Sequence, residues 1–199
     1  MLNRYAESTK ISEKLAAKIM SDIVLALNCI HKFKIMHLDL KPANMLFESD
    51  APDSHIKLID FGSNILQKSQ SFFGDSVQYM APELISGVPS VKSDIWSAGV
   101  IFYSLISGCL PFCAENHEGT ADLIIHSNPV FNGLAWDGVS LQALSLVKKM
   151  LSKSPKDRPT AEQILSDPWI MAYNRNQLSD EPFSKSVQDE VIIMNVIPK

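Results

Sequence analysis

The sequence predicts a mainly α-helical fold with one small β-hairpin, and three observations carry that expectation. Between Glu13 and Phe33 the apolar residues Leu15, Ile19, Ile23, Leu27 and Ile30 recur at helical spacing among polar Lys14, Lys18, Ser21, Asp22 and Asn28, which is the period of an amphipathic helix. From Asp94 to Ser107 almost every residue is apolar, as in a helix buried on all sides. Strand signals are confined to two short runs, MLF at 45–47 and IKLI at 56–59.

Each element follows from local chemistry. Ser12 stands where the first helix needs a cap, since a serine hydroxyl accepts from an orphan amide of the first turn. ESDAPDSH separates the two apolar runs, and its Asp, Pro and Ser residues all favour a turn. A turn centred on Pro52 pairs Met45 with Ile59 and Asn44 with Asp60. Residues 62–80 are rich in serine and lack a period, so they read as a long loop. Further helices are expected over about 118–127, 140–152 and 160–166, the last opened by Pro159 and Thr160. Residues 1–170 form the folded unit in this reading, and 171–199 form a polar extension with one apolar patch, Val191 to Val196.

Composition narrows the function. Eighteen basic against 22 acidic residues give a net charge of −4 with no long run of one sign, so nothing points to nucleic acid or to an anionic membrane. The longest apolar stretch, 95–112, is broken by Ser97, Ser104 and Ser107 and reads as core rather than as a membrane span. Cys29, Cys109 and Cys113 match no zinc spacing and suggest reduced thiols in a cytoplasmic or nuclear setting. His55, His117 and His126 likewise lack a metal spacing. No G-x-G pair occurs, and GLAWDGVS at 133–140 has Val139 where a P-loop lysine would stand, so it reads as a loop ahead of a helix.

The residues that carry chemistry lie around the hairpin. Asn44 and Asp60 offer an amide oxygen and a carboxylate at one open end, a hard oxygen donor set suited to magnesium. In an extended stretch Asp39 and Lys41 point to the same side, so a base and a cation would face that space. Base, cation and metal together suggest phosphoryl transfer.

As a set, His37-x-Asp39-Leu40-Lys41-Pro42-x-Asn44, Asp60-Phe61-Gly62 and Ala81-Pro82-Glu83 stand in the order of the protein kinase signatures. The chain resembles protein kinases over about residues 5–170, also at Asp94-Ile-Trp-Ser-Ala-Gly99 and Asp157-Arg158-Pro159. Its texture, including LISGCLPF at 105–112 and DPWI at 167–170, is similar to calcium/calmodulin-dependent and calcium-dependent kinases. The resemblance implies the large C-terminal lobe of a serine/threonine kinase, using ATP and Mg2+ on a protein Ser/Thr substrate. It implies Asp39 as the residue receiving the hydroxyl proton, Lys41 as the cation on the transferring phosphoryl, Asn44 and Asp60 as metal holders, and Leu46 beneath the adenine. His37 and Phe61 would pack below, Gly62 would free the backbone, and Ser76 would place a hydroxyl near the base. Glu83 and Arg158 would form a buried ion pair, Asp94 would hold the backbone of the catalytic loop, and Trp96 would be core.

Departures from the pattern set further expectations. The 199 residues contain no glycine-rich loop, strand lysine or positioning helix glutamate; Lys10, Lys14, Lys18 and Glu13 cannot serve. The expectation is a truncated kinase domain, weak or inactive alone, with a pseudokinase-like scaffold as the alternative. Leu38 replaces the arginine that would receive an activation-loop phosphate, so phosphorylation at Ser69 or Ser71 lacks its usual partner. Ala43 stands where basophilic relatives carry glutamate, and Ser63 and Asp75 are local oddities. No D-x-D-x-D-G loop occurs, so any calcium sensing would belong to a separate regulatory calcium-sensor chain.

Overall fold

The computed structural model describes residues 10–49, 51, 54–60 and 76–174. Helix α1 (Glu13–Lys32) starts where the Ser12 side chain accepts from the Leu15 amide. Glu13 sits in its first turn and His31 and Lys32 in its last, which suits the helix dipole at both ends. Its inner face, including Ala16, Ile19, Met20, Ile23 and Leu27, is buried.

After a short 3-10 turn at Pro42–Asn44, strands β1 (Met45–Phe47) and β2 (Ile56–Leu58) pair antiparallel. The register corrects the expectation by one residue: Met45 faces Leu58, Leu46 faces Lys57 and Phe47 faces Ile56. Directly opposed residues share a face, so this register puts Met45, Phe47, Ile56 and Leu58 inward and leaves Lys57 out with Leu46. The expected register would have set Lys57 opposite Phe47 on the core side, and a one-residue slip always exchanges the faces in this way. Asn44 is therefore level with Ile59, whose amide donates to the Asn44 carbonyl at 3.0 Å, and Asp60 lies one residue further on.

A 3-10 turn at Val77–Tyr79 leads into the short helix α2 (Pro82–Ile85). The central helix α3 (Val91–Ser107) opens with a capping box between Ser90 and Ser93 and ends at Gly108 with φ 76°, a left-handed residue that glycine adopts without penalty. Every residue from Ser93 to Ser107 is buried. Its serines find acceptors inside: Ser97 donates to the Tyr79 carbonyl at 2.7 Å and Ser107 to that of Tyr103 at 2.7 Å.

Four helices complete the description: α4 (His117–His126), α5 (Leu141–Met150), α6 (Ala161–Leu165) and α7 (Pro168–Asn174). The three expected from the sequence appear within a few residues of their expected bounds. GLAWDGVS forms a 3-10 turn at Leu134–Trp136 ahead of α5. Helix α7 carries regular structure to Asn174, into the stretch read as an extension. The remainder of that extension, the hairpin centre at Pro52, and residues 61–75 with Phe61, Gly62, Ser63, Ser69, Ser71 and Asp75 lie outside the described residues.

One contiguous core joins α1, α3, the hairpin and the later helices. Helix α1 packs against α3, α6, α7 and β2, and α3 packs against α5. Glu13 fastens the joint: its carboxylate accepts from the Ser140 amide and hydroxyl and from Trp169 Nε1, each at 2.7 Å. Among the described residues no helix is long and apolar enough to cross a membrane.

Candidate active site

The site is built on the segment between α1 and β1. Asp94, fully buried in α3, receives the amides of His37 at 2.9 Å and Leu38 at 2.8 Å. Leu38 has φ 62°, a left-handed backbone that costs a non-glycine residue about 1–2 kcal/mol. The two amide hydrogen bonds accepted by this buried carboxylate offset that cost and fix the chain just ahead of Asp39. The expected role of Asp94 in holding this backbone is thus met. His37 is itself buried, and that burial holds its imidazole below the usual histidine range despite the nearby carboxylates of Asp94 and Asp39. It is a neutral packing and hydrogen-bonding residue at pH 7.

Asp39, Lys41 and Asn44 converge. Asp39 Oδ2 lies 3.0 Å from Lys41 Nζ and accepts from Asn44 Nδ2 at 3.0 Å. Asn44 Nδ2 also donates to the Asp39 carbonyl at 2.8 Å. Two donors thus hold one carboxylate oxygen, while Asp39 Oδ1 accepts no hydrogen bond among the described residues. Lys41 donates onward to Ser76 Oγ at 2.7 Å. An ammonium has three donors, so one remains for a further anionic group. The side chains of Lys41 and Asp39 are 24% and 15% exposed, open enough to be reached and buried enough to be held.

Asp60 is exposed and has φ 60°. Asp60 shares this left-handed backbone with Leu38 and Lys34, and aspartate is a type that tolerates it; Gly62, where backbone freedom was expected, lies outside the described residues. Asp60 lies one residue beyond the Asn44–Ile59 pairing, so Asn44 and Asp60 both stand at the open end of the hairpin but are not directly opposed as the sequence reading expected. With Asn44 Nδ2 committed to Asp39, the atom left to Asn44 for a ligand is its amide oxygen. Asn44 and Asp60 then present oxygen donors only, which fits a magnesium ion that keeps several waters. Leu46, half-buried on the outward face of β1, offers an apolar surface beside them.

The expected ion pair is present. Arg158, with a fully buried side chain, donates to both oxygens of Glu83 at 2.6 and 2.8 Å. It also donates to the carbonyls of Lys92, Ser152 and Lys153. Burial alone would raise the Glu83 carboxyl, but hydrogen bonds from Arg158 and Ser93 hold it below the usual range.

Sequence reasoning missed two sets of supports. His31 Nε2 lies 2.8 Å from Asp94 Oδ2 and so steadies the carboxylate that holds the loop. Lys18 donates to the Ser54 carbonyl at 2.7 Å, and Asp22 accepts from the Ile56 amide at 3.1 Å, tying α1 to the hairpin. The only available signal was a pair of charges one turn apart on the same helix, which by itself reads as a solvated face.

A model of the protein kinase domain family matches residues 1–170. Calcium-dependent protein kinase 15 of Oryza sativa subsp. japonica is 42% identical over 162 residues, covering 80% of this chain and 30% of its own length. Calcium-dependent protein kinase 2 of Arabidopsis thaliana is 40% identical over 173 residues, 85% of this chain and 27% of its own length. A calcium and calcium/calmodulin-dependent serine/threonine-protein kinase of Pisum sativum is 38% identical over 175 residues, with 85% and 33% covered. The chain therefore spans at most 33% of the length of these relatives.

Proposed function

The chain belongs to the protein kinase domain family, and on that premise we propose that residues 1–170 are the large lobe of a serine/threonine protein kinase that transfers the γ-phosphoryl group of ATP to a protein hydroxyl. The observation that carries this reading is the Asp39–Lys41–Asn44 cluster, whose carboxylate is held through Oδ2 with Oδ1 left to act. Asp39 Oδ1 accepts the proton of the substrate hydroxyl as that oxygen attacks phosphorus. General-base help of this kind contributes about 10²–10⁴ in rate. Lys41, anchored to Asp39 and Ser76, turns its third donor to the transferring phosphoryl oxygens. Its contact with Ser76 also links the base to the segment on which a peptide hydroxyl would rest, which supports a serine/threonine acceptor.

The family implies use of ATP and Mg2+ in general; here Asn44 and Asp60 would hold the ion, which when bound neutralises phosphate charge. Leu46 would pack beneath the adenine. A protein substrate is the acceptor in this reading, and the names of the similar calcium-dependent kinases support a calcium sensor as its regulator.

The test is magnesium-dependent nucleotide binding and transfer to a generic Ser/Thr substrate by the 199-residue chain. We expect weak transfer, because the glycine-rich loop and strand lysine are not among these residues. Asp60→Ala should abolish it, and Asp39→Asn should lower it by about 10² or more with nucleotide binding retained. A folded chain that binds no nucleotide would instead support the second reading, a kinase-like scaffold.

A further inference from the structure

Away from the Asp39 cluster, a cleft of about 480 Å³ opens between the segment after α4, the C-terminal end of α5 and the turn that follows it. Phe131 and Leu151 form apolar parts of its wall, and Lys148, Lys153, Ser152 and Ser154 bring polar groups to it. Lys148 Nζ stands 5.2 Å from the Phe131 ring centroid. Lys153 Nζ stands 4.8 Å from that of Phe112 and 5.2 Å from that of Trp96, and donates to the Ile124 carbonyl.

The charges here are out of balance. Neither lysine forms an ion pair with a carboxylate among the described residues. Asp157 also lines the cleft and is exposed, and it pairs with neither. Arg158 lies beneath, its guanidinium 5.0 Å from the Trp96 ring centroid. Burial and the Arg158 charge push the Lys153 ammonium down to about 8. Lysines in the last turn of a helix ordinarily serve its free carbonyls. Lys148 stands in the last turn of α5 but donates to no carbonyl among the described residues; beyond the helix the carbonyls of Ser152 and Lys153 are taken by Arg158, and Lys153 gives one of its three donors to the Ile124 carbonyl. The hydroxyls of Ser152 and Ser154 make no hydrogen bond among the described residues, and they are further donors.

We propose that this cleft is an oxyanion site that takes a phosphate group, held between the ammonium groups of Lys148 and Lys153 with the serine hydroxyls as additional donors. A dianion supplies the negative charge this surface lacks, and charge-assisted hydrogen bonds to it are the strong ones. The phosphate can be free or carried on a phosphorylated side chain, which is the same chemistry.

The test follows the lysine side-chain NMR signals of the full chain during titration with inorganic phosphate, against sodium chloride at matched ionic strength. A second arm uses a short phosphoserine peptide. Lys148 and Lys153 should shift together and saturably with phosphate and not with chloride, and the Lys153 titration midpoint should rise above about 8. Lys148→Met, on an exposed helical position, should weaken binding about tenfold, the worth of one hydrogen bond to a charged group; Lys153→Met should act in the same direction. Tighter binding of the peptide identifies a phosphorylated chain as the source, and equal binding identifies free phosphate. Shifts that chloride reproduces, or an affinity unchanged in both folded variants, would overturn the proposal.

Discussion

A buried charge pair decides more than a surface one because each partner depends on the other for solvation. Arg158 is fully enclosed and gives both ends of its fork to Glu83. Removing one member of such a pair strands the other and costs about 3–5 kcal/mol. Arg158→Met should therefore lower the denaturation midpoint markedly, while Asp39→Asn should barely move it. Loss of activity in the first variant would report on folding, and in the second on chemistry. The same pair gives a pH dependence. The Glu83 carboxyl is held below its ordinary 4.5 in the fold, so its stabilisation is fully present above that value and is lost as pH falls through the folded value. Thermal melts from pH 6 downward should show stability declining below about 4.5, with a shallower decline in Glu83→Gln. A decline identical in the two proteins would sink this account. At this scale the sequence disclosed which residues meet, as with Asp94 and the loop amides, but not backbone conformation. The left-handed turn at Asp60 carried no mark of its own, since aspartate is common in ordinary turns.

Elements were legible where side-chain period is tied to burial. Helix α1 shows its apolar stripe directly, and α3 shows continuous apolarity because every side of it is enclosed. The hairpin register was misread from its turn, although the strands held the answer: in Ile56-Lys57-Leu58 the lysine must face out. Gly99 shows what period cannot reveal. It sits within α3, where alanine would raise helix propensity by about 1 kcal/mol. A Cβ there would, however, lie 2.9 Å from Met150 Cβ and 3.1 Å from Leu151 Cδ2, which forces α3 and α5 apart. Overpacking of this sort typically costs about 1–3 kcal/mol, so it outweighs the propensity gain. Gly99→Ala should lower Tm by several degrees, given about 2–4 °C per kcal/mol at this chain length. A raised Tm would mean that the two helices separate freely.

At the scale of the molecule, the site draws on parts of the chain far apart in sequence. Asp94 reaches the loop at 37–38 across 57 residues, and Glu13 reaches Trp169 across 156. No local pattern states such closures, which is why the motif order pointed to a function before the supports of the site could be named. The closures also bear on cooperativity. Trp96, Trp136 and Trp169 are all buried, in the central helix, in the turn before α5 and in α7. All three belong to the same core cluster, and α1 touches α3, α6 and α7 at once. If that core is a single unit, no tryptophan environment can be lost while the helices persist. Tryptophan fluorescence and far-UV circular dichroism of the full chain should then give coincident thermal transitions, the signature of all-or-none unfolding. A fluorescence transition that clearly precedes the loss of helix would show that α7 or the turn at Trp136 detaches first. The Glu13 clamp would then be too weak to bind the late helices to α1, and Glu13→Gln would leave the first transition unchanged instead of lowering the single one.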